Sequence, residues 1–385
     1  MNQQEKLLNQ LTRKAHRQRH CIVAKTNAER MQLLRASRTQ IVKQVKAHLY
    51  MPSAAWEALT HPERAMYLMR ATNERHPEWT FCYLSAALIW ELTGTIFLKA
   101  QMHVAASNHT HVRCKASIKF HYCLVKQAQQ RAGLSVTPLI QTVYDCARRL
   151  DYANALAICD KAMRKYGLTK AQLIDYANLS SHTWGRTRAL YVFSHATPLS
   201  ESGGESIAKA RFDGWGYQQP QQQVNVSSPL RGGKLIRLDF SWLTDSGKQV
   251  AAELDGYEKY VNPKMTGGQS LPDIVFKEKD RETELSLSGY LIIRFSYHQL
   301  RERHGLNVKK KLTMAQVPKE HKGTNPEVIS LFSTCWESTH TCWAGVGIGR
   351  RPRSSSRAHD SRRPPSRPKA HARRKPPQEQ ISCLT

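Results

Sequence analysis

No uninterrupted apolar run of about 18 or more residues occurs in the 385-residue sequence, which excludes a membrane-spanning helix of ordinary length. The opening residues, Met1-Asn-Gln-Gln-Glu, lack the charged-then-apolar order of a secretory signal. A soluble, cytoplasmic protein with no membrane partner is therefore expected. Cysteine is scarce: the nine thiols are odd in number, scattered from Cys21 to Cys383, and include no Cys-x-x-Cys pair. That argues against a disulfide framework and for reduced cytosolic thiols. Carboxylates are few as well, 30 against 58 Lys and Arg, for a formal charge of +28. Such an imbalance favours a polyanion, because Lys and Arg release counterions from phosphates on binding. DNA or RNA leads, with a solvated basic surface or an anionic membrane face as alternatives. Forty per cent apolar residues can build cores, and the length exceeds one ordinary core, so two folded domains with basic ends are expected.

Residues 1–50 carry eleven Lys or Arg against two Glu. Leu33, Leu34, Ile41, Val42, Val45 and Leu49 fall near helical spacing, and Ser37 or Thr39 could cap a second helix after a short turn. This reads as a helix-turn-helix or winged helix over 1–55, with Arg35, Arg38, Lys43 and Lys46 as nucleic-acid contacts. A charged solubilising arm is the alternative. From 56 to 195 the text is α-rich. Pro62-Glu-Arg opens one helix and Ser85-Ala-Ala-Leu another. Ile140, Val143, Tyr144, Ala147 and Leu150, then Ala153, Leu156, Ala157, Cys159 and Ala162, pattern two packed helices. Thr169 and Gly185 precede two more. Cys146 and Cys159 read as small buried hydrophobes. His103, His109, His111, Cys114, His121 and Cys123 suggest zinc, but they do not supply two clean ligand pairs.

Between 200 and 300 the order becomes helix, strand, strand, helix, strand. Ser202-Gly-Gly-Glu-Ser places Glu205 in the first turn of a helix, beside its free N–H groups. Strand alternation puts Ile236, Leu238 and Phe240 on one face of the next element and Arg237 and Asp239 on the other. In Val250-Ala-Ala-Glu-Leu-Asp-Gly, Glu253 and Asp255 share one face. Pairing of these strands through Asp245-Ser-Gly would crowd Asp239, Glu253 and Asp255, which calls for a cation or a proton. Mg²⁺ suits hard carboxylate oxygens and binds phosphate, so the cluster could activate water against a phosphodiester. A solvent-facing acidic strand is the alternative. Arg281, on a charged helix, and Arg294, on the apolar strand Gly289-Tyr-Leu-Ile-Ile-Arg-Phe, could neutralise the acids or a phosphate, and structural ion pairs are the favoured role for both.

Five segments in order, Ser202-Gly-Gly-Glu-Ser, Arg237-Leu-Asp-Phe, Ala252-Glu-Leu-Asp-Gly, Glu278-Lys-Asp-Arg and Gly289-Tyr-Leu-Ile-Ile-Arg-Phe, resemble the restriction-endonuclease-like domain related to very-short-patch-repair endonucleases. Upstream, Leu49-Tyr-Met-Pro, Pro62-Glu-Arg, Ser85-Ala-Ala-Leu, Thr142-Val-Tyr-Asp-Cys-Ala-Arg and Ala153-Asn-Ala-Leu-Ala-Ile-Cys-Asp resemble actinobacterial AbiEi-like antitoxins of type IV toxin–antitoxin systems. The nuclease resemblance implies a metal held by Asp239 and Glu253, with Glu205 joining them and Asp255 beside them. It also implies a lysine two residues after the second strand's acid. Asp255 stands there instead, leaving Lys259 or Lys277 for that role. The antitoxin resemblance implies promoter binding and a cognate toxin partner, without enzymatic activity. The expected architecture is α+β: a mainly helical N-terminal half with a winged helix, a restriction-endonuclease-like α/β domain over 200–305 around a central mixed sheet, and a disordered basic tail over 333–385. The function expected is DNA binding, either as a Mg²⁺-dependent endonuclease or as a non-enzymatic regulator.

Overall fold

Capping signals account for several helix starts. Thr26 accepts from the backbone N–H of Glu29, and Glu29 reaches back to the Thr26 N–H. This capping box opens α2 (Asn27–Arg38), which follows α1 (Gln3–Gln18) and the short strand β1 (Ile22–Val23). The same device at Thr60 and Thr169 opens α4 (His61–Arg75) and α8 (Lys170–Leu179). The computed structural model describes residues 3–93, 101–106, 118–255 and 271–320. The basic tail expected over 333–385 lies outside the described residues.

Residues 39–52 correct the expectation of a second helix. Thr39 ends α2 rather than capping a new helix, and the chain continues into β2 (Val42–Lys46) and β3 (Leu49–Pro52). These pair antiparallel, with β1 on the other edge of β3. The apolar spacing fits a helix, but β-branched Ile41, Val42 and Val45 favour extended backbone. Leu49, Tyr50 and Met51 are buried consecutively, in two cores: Tyr50 joins Ile22, Leu33 and Val42, whereas Leu49 and Met51 join the larger helical core that follows. A single helical stripe could not serve both.

That larger core gathers α3 (Ser53–Ala58), α4, α5 (Tyr83–Ile89), α6 (Leu139–Ala147), α7 (Tyr152–Tyr166), α8 and α9 (Arg186–His195). Val143, Tyr144, Ala147, Leu156, Cys159 and Ala162 are buried as the helical period predicts. Cys146 is fully enclosed too. Two small strand pairs flank this core. The parallel pair is β4 (Met102–Ala106) with β5 (Ile118–Tyr122), and the antiparallel hairpin is β6 (Gln129–Arg131) with β7 (Leu134–Val136).

The C-terminal elements build a four-stranded mixed sheet. After α10 (Gly203–Gly214) come β8 (Gln221–Ser227), β9 (Leu235–Leu243) and β10 (Gln249–Asp255), with β9 antiparallel to both β8 and β10. Then α11 (Leu271–Leu287) returns the chain so that β11 (Tyr290–Ser296) pairs parallel to β10. The sheet order is β11-β10-β9-β8. Strand β8 extends the expected helix-strand-strand-helix-strand order by one element. Its text, Gln221-Gln-Gln-Val-Asn-Val-Ser, carries almost no apolar alternation. Helices α12 (Tyr297–Arg301) and α13 (Leu306–Met314) close the described chain.

Ile236, Leu238 and Phe240 do not share one core. Phe240 and Trp242 pack with Ala208, Phe212, Ile293 and Val308, whereas Ile236 and Leu238 pack with Ala251 and Leu285 of α11. Helices cover both faces of this sheet, so apolar alternation on β9 does not identify a single buried side. The chain is thus a mixed α+β protein. Among the described residues no helix is long and apolar enough to cross a membrane.

A buried ion pair fastens α10 to the helical region. Asp160 on α7 receives Lys209 Nζ at 3.0 Å, Ser200 Oγ at 2.9 Å and the Thr197 N–H at 2.8 Å. Both charged side chains are almost fully enclosed. Lys209 lies one turn after Glu205, so this anchor sets the height of the acid that α10 presents to the sheet.

Candidate functional site

Glu205 is placed by its cap. Ser202 Oγ accepts from the Glu205 N–H at 3.1 Å and donates to Glu205 Oε1 at 2.8 Å. The Glu201 N–H and Gln223 Nε2 donate to Oε2. A side chain at Gly204 would meet Leu254 Cδ2 at 2.8 Å, so the glycine lets this turn lie against the end of β10. Burial raises the Glu205 carboxyl above its ordinary range. The Glu201 N–H and Ser202 oppose that shift, and the charge of Asp239 adds to it.

On the sheet, Asp239 Oδ2 accepts from the Leu254 N–H at 2.9 Å. Glu253 is 8% exposed and its Oε1 accepts from Arg281 Nη2 at 2.7 Å. Burial pushes Glu253 upward too. Arg281 pulls it back, Asp239 and Asp255 push further, and Arg294 opposes them. The Arg294 Nε–H is shared between the two Asp255 oxygens, at 3.2 and 3.1 Å, and Asp255 also accepts from Nη2, which reaches Glu278 at 3.2 Å. Both arginines therefore make the ion pairs that their sequence positions suggested.

Glu205 and Asp239 line a cleft of about 620 Å³. Its other charged walls are Arg231, Lys234, Arg237, Lys277 and Arg281, with Glu201 and Glu284. Arg237 pairs with Glu201, and Arg231 with the buried Glu284. Arg281 Nη2 also donates to the Arg237 carbonyl at 2.6 Å, which ties α11 to β9 across the cleft. Lys234 and Lys277 are exposed and form no ion pair among the described residues. Lys277 is the cation expected near the acids, and Lys259 lies outside the described residues. Arg231 and Lys234 escaped sequence reasoning, although they flank Gly232-Gly233. Both glycines have positive φ, the mark of a tight turn between strands.

Among the described residues no group of three or more His, Cys, Asp and Glu side chains is placed to hold a metal ion. Mg²⁺ needs only one or two carboxylates, with water and substrate phosphate completing its shell. Asp239 and Glu253 match that hard-oxygen donor set. The charge of Asp239 also pushes the buried Glu253 upward, a situation that a cation relieves.

The N-terminal cations divide. Arg35 and Arg38, in the last turn of α2, are exposed. Lys43 is paired with Glu57 at 2.5 Å. Lys46 is half-buried, and desolvation lowers it to about 8. In the middle region, His109, His111 and Cys114 lie outside the described residues, while His103 Nδ1 and His121 Nε2 lie 2.8 Å apart and buried. Arg149 Nη1 sits 2.9 Å from His121 Nδ1. A guanidinium can only donate, so His121 accepts at Nδ1 and donates its Nε2–H to His103 Nδ1. Desolvation, aided by nearby cations, lowers His103 to about 4 and His121 to about 3. Both rings are neutral near pH 7.

Neither a protein-family model nor a curated protein matches the chain.

Proposed function

We propose that this chain binds DNA and that its region 200–305 is a nuclease-like domain hydrolysing phosphodiesters at the acidic end of the β9–β10 pair. The observation that carries the reading is the meeting of Glu205 and Asp239 with Arg231, Lys234, Arg237, Lys277 and Arg281 around one cleft, with Glu253 joined to that wall through Arg281. Five segments in nuclease-like order supply Glu205, Arg237, Asp239, Glu253 and Arg281 among them. Asp239 and Glu253 would hold Mg²⁺, which when bound supplies Lewis-acid activation of water and charge compensation. Lys234 and Lys277 are free to neutralise backbone phosphates. Glu205, whose carboxyl is held with raised proton affinity, is suited to accept and hold a proton. Arg294 keeps Asp255 oriented beside Glu253.

A second reading has its own support. Glu253 and Asp255 are already neutralised by Arg281 and Arg294, and Arg35 and Arg38 stand exposed beside an antiparallel hairpin. These features suit a non-enzymatic, AbiEi-like regulator that grips promoter DNA through a winged helix and answers to a cognate toxin. Incubation of the full chain with supercoiled and mismatch-containing DNA, in Mg²⁺, Mn²⁺ or chelator, decides between them. The nuclease reading expects metal-dependent cutting that Glu253→Ala abolishes. Tight binding with no cutting, unchanged by Glu253→Ala, selects the regulator.

A further inference from the structure

The loop between α8 and α9 holds a tryptophan in water and holds it firmly. Trp184 is 70% exposed, yet the backbone around it is tied down on every side. Tyr144 Oη donates to the His182 carbonyl at 2.6 Å, Arg148 Nη1 to the Trp184 carbonyl at 3.2 Å, and Arg186 Nη2 to the Ser180 carbonyl at 2.6 Å. Arg148 is itself locked by two bonds to Asp145, at 2.9 and 2.7 Å, deep in the core. Gly185 has φ +74°, and a Cβ there would lie 2.5 Å from the Arg148 carbonyl oxygen. Residues 180–186 are thus a rigid mount whose only large apolar side chain points outward. Core packing does not explain that arrangement.

The surroundings of the indole suggest a ligand. The Arg149 guanidinium lies 5.8 Å from the Trp184 ring centre, and neither Arg149 nor Arg186 forms an ion pair among the described residues. Three buried nitrogens on the mount and beside it, Arg149 Nε, His182 Nε2 and Arg186 Nε, have no hydrogen-bond partner. Buried donors without acceptors are costly to leave unmet. The partially exposed Tyr122 ring stands edge-on to His182. An exposed aromatic face beside guanidinium groups that carry no ion pair is complementary to a flat aromatic base carrying an anion.

We propose that Trp184, with Arg149, His182 and Arg186, forms a stacking site for an unpaired nucleotide of a nucleic-acid strand, separate from the acidic cleft. The base lies on the indole, and the adjoining phosphate meets the outer nitrogens of the guanidinium groups. Duplex DNA keeps its bases stacked on one another and leaves this site empty. The proposal extends the DNA-binding reading to strand ends, bubbles and single strands.

The test is anisotropy of labelled oligothymidine and of a blunt duplex of equal length, with the full chain and its Trp184→Ala and Trp184→Phe variants. Base stacking on an aromatic side chain predicts roughly a tenfold or greater loss of oligothymidine affinity in Trp184→Ala, substantial recovery in Trp184→Phe, and duplex affinity within about twofold of the parent. Unchanged oligothymidine binding in Trp184→Ala overturns the site but leaves the DNA-binding reading standing. An equal loss on duplex also overturns it, as does a change confined to self-association, which would make the patch a protein contact. No binding of either oligonucleotide by the parent chain overturns the site and the DNA-binding reading together.

Discussion

Acid should unfold this protein through its two buried histidines. His103 and His121 are 8% and 6% exposed, and their folded pKa values, about 4 and about 3, lie below the ordinary 6.5. A histidine with a depressed folded pKa contributes full stability above its unfolded value. That stability is lost as pH falls, because the unfolded chain takes up the proton first. At pH 5 the unfolded imidazole is almost fully protonated while both folded rings remain neutral. The linkage relation then gives a loss of about 2 kcal/mol per histidine between about pH 7.5 and pH 5. Urea denaturation at both pH values measures it, with a His103→Gln/His121→Gln double variant isolating the pair from the carboxylates. The variant's stability should fall by about 4 kcal/mol less than the parent's over this interval. Parallel pH dependence in the two proteins would falsify the buried, neutral assignment.

Two further outcomes follow from enclosed contacts. Lys209→Met keeps the aliphatic stem but strands Asp160 as a buried charge, so urea denaturation should register a loss of about 3–5 kcal/mol. Arg237→Ala breaks a pair exposed on both sides and should cost under about 1 kcal/mol; similar losses in the two variants would refute the anchoring role of Asp160. Gly185→Ala forces a side chain into positive φ and against the Arg148 carbonyl, with an expected cost of about 2 kcal/mol or more. Thermal unfolding at parent-like temperature would show that the loop relaxes instead.

Much of the local structure was legible because local physics decides it. Ser202, Thr169, Pro62 and Gly185 mark helix starts through groups within a turn of them. The two helices over 139–166 follow from a 3.6-residue period that one core satisfies. Residues 39–52 misled because their apolar spacing fits a helix, while their burial is divided between two cores. Strand β8 was invisible because a polar edge strand carries little alternation. The cationic cleft wall was missed in part because Arg231 and Lys234 belong to the turn that follows β8.

The sequence by itself determined which residues could carry chemistry and which of them share a strand face. A strand period of two is enough to set Glu253 and Asp255 side by side on β10. Only the tertiary structure decided their partners. The parallel register of β10 and β11 sets Glu253 opposite Arg294, while Arg281, 28 residues along, reaches Glu253 from α11. Such pairings depend on register, and a one-residue slip would turn every side chain to the other face. The same holds for Trp184, whose exposure is set by a buried arginine 36 residues earlier that grips its carbonyl.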